Sequence, residues 1–316
     1  MNKVVLGVDI GGTFTKLSLV TPSGSIVGQE AFPTHSGNGQ DDYPKRLVAT
    51  SKSLVKRVDS SLLGIGIGAP GCDPETGYIS YAVNLPFSAP FPIRDFFEQN
   101  LCAHTALIKD SSAAALGEKM WGGAKHMNNF VLLTLGTGLG SAFFINGQLV
   151  EGAHNLASEL GHTVHIPNGR ACFCGQRGCL ETYVSARGLQ RNLSALFATE
   201  ILPSHLRRVP ETDRSAQMIT QAAQKGDKLA RQAVEMCGVE LGNALARICL
   251  QLDPEGIFLS GGLTHAGDLL VHPLQQQLQK ALLPAFREKT TVAISALGGA
   301  NAGTLGAAAQ IYLEQA

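Results

Sequence analysis

No stretch of this sequence approaches the roughly 18 uninterrupted apolar residues that a membrane-spanning helix needs, although hydrophobic residues make up 44% of it. Neither sign of charge is in surplus. The 25 Lys and Arg balance 25 Asp and Glu, which removes any global electrostatic case for nucleic acid or an anionic membrane surface. Charged residues are only 16% of the total, a composition that buries well and argues against disorder. The start, Met1-Asn2-Lys3, carries no apolar leader segment or cleavage site ahead of the first strand-like run. These absences predict a cytoplasmic protein with no nucleic-acid and no membrane partner. In that compartment its seven cysteines are free, metal-bound or catalytic rather than paired in disulfides. Low-complexity tracts and solenoid repeats are also missing, and 316 residues suffice for two domains with a substantial core.

What the chain does have is glycine, 36 residues of it, placed at the ends of apolar runs. Val4 to Lys16 reads VVLGVDIGGTFTK. An apolar strand delivers Asp9, turns through Gly11 and Gly12, and continues with Thr13, Thr15 and Lys16. Glycines let a backbone approach a bulky anion with its N–H groups facing it. The hydroxyls of Thr13 and Thr15 add donors, and the Asp9 carboxylate suits a metal ion or its water shell. Leu17-Ser18-Leu19-Val20 then reads as a second strand, so the unit is a phosphate-cradling β-hairpin, whereas a P-loop or dinucleotide fold would place a helix there. The plain alternative is an ordinary glycine hairpin. The same design recurs at Phe130–Thr134, followed by Leu135-Gly136-Thr137-Gly138-Leu139-Gly140-Ser141 and a further apolar run that reaches the Asn146-Gly147 turn. GTGLG is not GxGxxG and no helix pattern follows it. Two facing strand–glycine–strand units are the arrangement expected of the actin/hexokinase superfamily, two related halves around a cleft.

Strands alternating with helices predict an α/β fold. The reading expects helices over about 43–58 and 93–100, a strand at Ala106–Ile108 delivering Asp110, and a helix beyond it capped by Ser111 or Ser112. The first domain is placed at residues 1–118 with the C-terminal helix 299–316 packed back on it, and the second at 119–298. Ser260-Gly261-Gly262 ends another strand and suits close approach of a nucleotide base or ribose, though strand-terminal glycines often only make turns. The run Gly298 to Gly303 reads as a place where a helix packs tightly.

His162 precedes Cys172-Phe173-Cys174-Gly175-Gln176-Arg177-Gly178-Cys179. One imidazole and three thiols complete a tetrahedral Cys₃His zinc site. Gly175 and Gly178 permit the tight knuckle, and a glycine-rich, poorly apolar loop is a poor place for buried free thiols. Four protein ligands leave no open position, so the zinc is expected to be structural rather than hydrolytic. Cys72, Cys102, Cys237 and Cys249 read as core or surface thiols.

DIGGTFTK, GAPG, LGTGLGS, EGAHNLASELGH and CFCGQRGCLETY resemble, in order and spacing and over nearly the whole chain, the ROK family (repressors, open reading frames and kinases). The resemblance implies a two-domain α/β fold of the actin/hexokinase-like (ribonuclease H-like) type with an interdomain cleft. It also implies transfer of the γ-phosphoryl of ATP, with Mg²⁺, to a hexose, and a homodimer or homotetramer. Position by position, Asp110 resembles the catalytic base, and Asn84, Glu159, His162 and Glu181 resemble sugar ligands. Asp9, Gly11, Gly12, Thr13, Thr137 and Gly138 resemble the phosphate and Mg²⁺ site. The family usually reads Asn-Asp-Ala-Asn where this chain reads Lys109-Asp110-Ser111-Ser112, and Ser88 stands near a frequent Trp. Both departures bear on which sugar is bound, and Lys109 joins the candidate sugar contacts.

Each candidate has a plainer reading. Asp110 between a strand and a helix is often only a cap. Glu159 and His162, three apart on one helical turn, would converge on one object. A histidine bound to metal through one nitrogen can offer its other N–H to a hydroxyl. Glu181, two past Cys179, is otherwise a solvated carboxylate, and Lys16 a solvated hairpin charge. The leading expectation is a hexose kinase acting on glucose; allose, N-acetylmannosamine, N-acetylglucosamine and fructose are alternatives, as is polyphosphate for ATP. A sugar-responsive repressor would need a helix-turn-helix ahead of Val4. A non-catalytic sugar-binding regulator would not need both phosphate hairpins together with Asp110.

Overall fold

The computed structural model describes residues 2–35, 42–80, 85–298 and 301–315. The chain divides into two compact units, Met1–His126 with Ala296–Ala316, and Met127–Ser295.

In the first unit, β1 (Asn2–Ile10) pairs antiparallel with β2 (Phe14–Val20), which pairs antiparallel with β3 (Ile26–Pro33). Helix α1 (Tyr43–Lys56) follows, its N-terminus capped by the Asp42 carboxylate accepting the Lys45 N–H. Then come β4 (Ser60–Gly68), the short β5 (Cys72–Asp73) and β6 (Tyr78–Ile79), α2 (Ile93–Leu101), β7 (Thr105–Ile108) and α3 (Asp110–Trp121). The sheet order is β3-β2-β1-β4-β7, with β4 parallel to both β1 and β7.

Alternation along β1 sorts its side chains. Val4, Leu6, Val8 and Ile10 enter the core that includes Tyr43, Leu47 and Leu54 of α1 and Phe97 of α2. Val5 faces the other way, with Leu305, Ala308 and Ile311 of the C-terminal helix (Ala302–Glu314). That helix lies so close to the sheet that a Cβ on Gly66 would stand 1.7 Å from the Ala307 carbonyl oxygen. Gly64 and Gly66 of β4 therefore leave room for that helix, Gly64 beneath Ile311 and Gly66 beneath Ala307. Cα partners Asp9 and Lys16 share this second face.

In the second unit, β8 (Phe130–Leu135), β9 (Leu139–Ile145) and β10 (Gln148–Leu149) form an antiparallel meander. Asn146 and Gly147, with φ of 53° and 77°, make the turn that the Asn-Gly pair predicts. Helices α4 (Glu181–Val184), α5 (Ala186–Thr199), α6 (Ala216–Gln224) and α7 (Lys228–Leu252) precede β11 (Gly256–Ser260), and α8 (Asp268–Ala281) precedes β12 (Thr291–Ile294). The order β10-β9-β8-β11-β12 repeats that of the first sheet, with the same parallel and antiparallel pairings. Leucines 189, 193, 241, 245, 259, 270, 274 and 278 fill its core. Among the described residues no helix is long and apolar enough to cross a membrane.

Candidate active site

Both glycine turns join antiparallel strands, as the strand–glycine–strand pattern requires. In the first, the Gly11 N–H donates to the Phe14 carbonyl at 3.1 Å, and Gly12 and Thr13 stand exposed at the tip. Asp9 sits one residue before the end of β1. Its carboxylate occupies the space that a side chain at Gly303 would need: a Cβ there would lie 2.5 Å from the Asp9 Cγ. Burial, then the charge of Asp110, raises the Asp9 pKa to about 6, with Lys16 opposing. Gly303, in the first turn of the C-terminal helix, thus does more than ease helix packing. It admits a carboxylate.

Thr15 corrects the expectation that its hydroxyl serves the turn. It is buried on the α1 face of β2, where its Oγ1 lies 3.0 Å from Thr34 Oγ1 and 2.7 Å from the Tyr43 hydroxyl. The period of two along a strand turns Thr15 away from the face that Lys16 and Asp9 share.

Asp110 opens α3 instead of preceding it. Lys109, extended at φ −60° and ψ 144°, is the N-cap residue and makes no side-chain capping bond. Ser111 and Ser112, expected as caps, are buried within the first turn. The Asp110 carboxylate accepts the Ser111 N–H at 2.7 Å. Asp110 is solvent-accessible, yet enough protein surrounds the carboxyl for desolvation to raise its pKa, against the Ser111 N–H and the Lys109 charge. A lysine is an adverse choice at the positive end of a helix dipole, where Ser, Thr, Asp or Asn is favoured. Helix stability therefore does not account for Lys109. The expected sugar contact at Asn84 lies outside the described residues.

The second unit gathers its candidates around the other turn. The Gly136 N–H donates to the Gly138 carbonyl at 3.0 Å, and Thr137 is exposed at the tip. Glu181, at the start of α4, reaches over this turn: its carboxylate accepts the Leu139 N–H at 3.0 Å, and a Cβ on Gly138 would stand 2.4 Å from it. Glu159 precedes a single 3₁₀ turn, Leu160–His162, so Glu159 and His162 are neighbours at a spacing that eclipses side chains. Ser141 of β9 holds this segment by donating to the Ser158 carbonyl and accepting the Leu160 N–H. Gly261 is required by close packing, since its Cβ would meet the Leu135 backbone at 2.6 Å, whereas Gly262 faces open space.

His162, Cys172, Cys174 and Cys179 converge, with their ligand atoms within 4.8 Å of one another. Cys172 Sγ lies 3.7 Å from His162 Nδ1, and Cys174 Sγ 3.6 Å from Cys179 Sγ. Sulfurs on a tetrahedral zinc at about 2.3 Å stand about 3.8 Å apart, whereas a disulfide needs about 2.05 Å. The four donors fit zinc. Gly178, at φ 84°, is where the loop folds onto Ile166: a Cβ there would lie 1.8 Å from the Ile166 carbonyl oxygen. Of the other cysteines, Cys72, Cys237 and Cys249 are buried and Cys102 is exposed.

Sequence reasoning overlooked Thr34 and Tyr43, which lie behind the first turn. Nothing local marks them, because their role depends on strand and helix packing.

Two sheets of one topology, each bearing a glycine turn between antiparallel strands, define a protein of the actin/hexokinase-like fold. The family model described as ROK family matches residues 5–313, and the chain belongs to that family. A glucokinase of Halalkalibacterium halodurans is 35% identical over 95% of this chain and 92% of its own. A ROK family glucokinase from Streptomyces griseus, solved in complex with glucose and AMPPNP, superposes with a TM-score of 0.83 at 28% identity, covering 96% of this chain and 98% of that one. A xylose repressor of Caldicellulosiruptor bescii is 26% identical over 89% of this chain and 72% of its own length.

Proposed function

We propose that this protein is a sugar kinase that transfers the γ-phosphoryl of ATP to glucose, giving glucose 6-phosphate, with Asp110 as general base. The observation that carries this reading is the acidic pair beside the first glycine turn: Asp9 is the β1 partner of Gly68, and a Cβ on Gly68 would stand 3.9 Å from the Asp110 Cα, so that each carboxyl sits where burial raises it above the ordinary range. A repressor or a passive sugar binder needs carboxylates only to accept from sugar hydroxyls. A phosphotransferase needs one for the acceptor proton and one for the metal. In this assignment the sugar 6-hydroxyl attacks the γ-phosphorus, the bond to the β-phosphate oxygen breaks, and Asp110 takes the hydroxyl proton as ADP leaves. Asp9 is assigned to Mg²⁺, which supplies charge neutralisation on the phosphates when bound. The first turn, with Gly11, Gly12 and Thr13, and the second, with Gly136, Thr137 and Gly138, are assigned to phosphate. Gly261 and Gly262 are assigned to the nucleoside side.

Asn84, Glu159, His162 and Glu181 are assigned to sugar hydroxyls. His162 does so while holding a structural zinc with Cys172, Cys174 and Cys179. The assembly is proposed as a homodimer or homotetramer. A coupled assay over glucose, allose, fructose, N-acetylmannosamine and N-acetylglucosamine, each with ATP and with polyphosphate, tests the reading. Glucose with ATP is expected to show the highest kcat/KM. No turnover of any hexose with either donor would overturn it.

Lys109 is assigned to sugar preference, because it places a cation that only donates where an amide would both donate and accept. Lys109→Asn is expected to change the ranking among hexoses while KM for ATP stays within about twofold. It is also expected to keep or raise stability by up to about 1 kcal/mol, since Asn is a preferred N-cap. Removing the lysine charge further raises Asp110, so the acid limb of the kcat/KM profile moves to higher pH. An unchanged hexose profile would remove Lys109 from the sugar site.

A further inference from the structure

Behind the first glycine turn runs a buried chain of hydroxyls whose direction is set by one bond. Thr34 Oγ1 donates to the Gly11 carbonyl at 2.6 Å, which uses its only proton. It must therefore accept from Thr15 Oγ1 at 3.0 Å. Thr15 in turn must accept from the Tyr43 hydroxyl at 2.7 Å. Thr15, Thr34 and Tyr43 are all fully or almost fully buried. The bonds thus point one way, from α1 through β2 to the turn, and bonds so aligned polarise and strengthen one another.

The Thr34 backbone adds a second clip by donating its N–H to the Thr13 carbonyl at 2.9 Å. Arg46 ties the same segment to α1 by donating to the Pro33 and Thr34 carbonyls, both at 3.1 Å, with its guanidinium 4.5 Å from the centre of the Phe32 ring.

The consequence lies in peptide geometry. In a trans peptide the C=O and the following N–H point in opposite directions. Drawing the Gly11 carbonyl towards Thr34 turns the Gly12 N–H to the other side. Drawing the Thr13 carbonyl does the same for the Phe14 N–H. A glycine pair left to itself has the freedom to rotate these planes.

We propose that Thr34, with Tyr43 and Thr15 behind it, is a positioning device for the nucleotide phosphates: it fixes the peptide planes of the first turn so that their N–H groups are presented before ATP arrives. This rests on the assignment of that turn to phosphate. Preorganised donors avoid the ordering cost that a mobile turn would meet on binding.

Thr34→Val keeps the shape and removes the hydroxyl, leaving the Gly11 carbonyl without its donor. It is expected to raise KM for MgATP about tenfold while KM for glucose stays within about twofold. Thr34→Ser restores the chain and is expected to recover most of the loss. Tyr43→Phe, which leaves every backbone bond intact, is expected to raise KM for ATP about threefold and serves if Thr34→Val does not fold. Selective weakening of ATP with rescue by serine supports the device. An unchanged KM for ATP in both variants, or equal rises for the two substrates, would overturn it. Gly12→Val, on the turn itself, separates the two claims. If Gly12→Val also leaves nucleotide affinity unchanged, the turn does not hold phosphate and the assignment beneath the inference has failed.

Discussion

Asp110→Asn is expected to lower kcat by roughly 10²- to 10⁴-fold, the range for removing a positioned general base, with glucose and ATP still bound in calorimetry. Asparagine keeps the size of the side chain and an oxygen for the Ser111 N–H, so α3 is expected to begin where it does now. What is lost is the acceptor for the hydroxyl proton as the oxygen attacks phosphorus, and the group that holds that oxygen in line. A sugar hydroxyl is a poor acid, so orientation contributes as much as basicity.

A second consequence of this substitution is visible apart from turnover. The Asp110 charge is the second cause, after burial, of the raised pKa of Asp9. Asp9 loses its own charge as pH falls through about 6, so Mg²⁺-dependent nucleotide binding is expected to weaken below that pH in the unaltered protein. Neutralising residue 110 lowers the Asp9 pKa, and this acid limb moves to lower pH in the variant. Near-normal turnover by Asp110→Asn would reduce Asp110 to a helix-terminal carboxylate and end its catalytic assignment.

Stripping zinc is expected to cost stability and sugar affinity together. A ligand present at about a thousand times its dissociation constant stabilises a fold by about 4 kcal/mol. For a unit of this size that corresponds to a melting shift of roughly 10 °C. The four ligands fasten the segment from His162 to Cys179, and Glu181 follows two residues later with its carboxylate on the Leu139 N–H of the second turn. Release of the knuckle is therefore expected to loosen Glu181 and Glu159, and with them glucose binding. Metal analysis of protein purified without chelators, melting curves before and after chelation, and glucose calorimetry provide the measurements. Absence of zinc from such protein, or melting and glucose binding that both survive its removal, would refute the structural role.

Some of this was legible from short stretches of sequence because the physics there is local. A turn that must approach an anion needs glycine, and a zinc knuckle needs thiols and an imidazole at set spacings, so both hairpins and the Cys₃His cluster could be read directly. The cap of α3 was misread because Ser111 and Ser112 have the right chemistry for the position, whereas Lys109 has the wrong chemistry and occupies it. Local propensity failed there, as it does where function or tertiary packing takes precedence. Thr15 was misread for a related reason. A hydroxyl beside a glycine turn looks like a ligand until the strand's alternation is set against the helix that covers one face.

Residue types at short spacing were enough to read the α/β class, the paired strand–glycine–strand units, the Cys₃His cluster and the family. Which face each strand residue occupies follows from packing, and so does the placement of Asp9 against Gly303, almost three hundred positions away in the chain. The tertiary structure shows too that Glu181 rests on the second glycine turn and that Tyr43, Thr15 and Thr34 form a directed chain onto Gly11. These relations come from the packing of helices onto sheets. Burial of apolar faces sets the distances there, and the polar groups carried along must find partners wherever that packing leaves them.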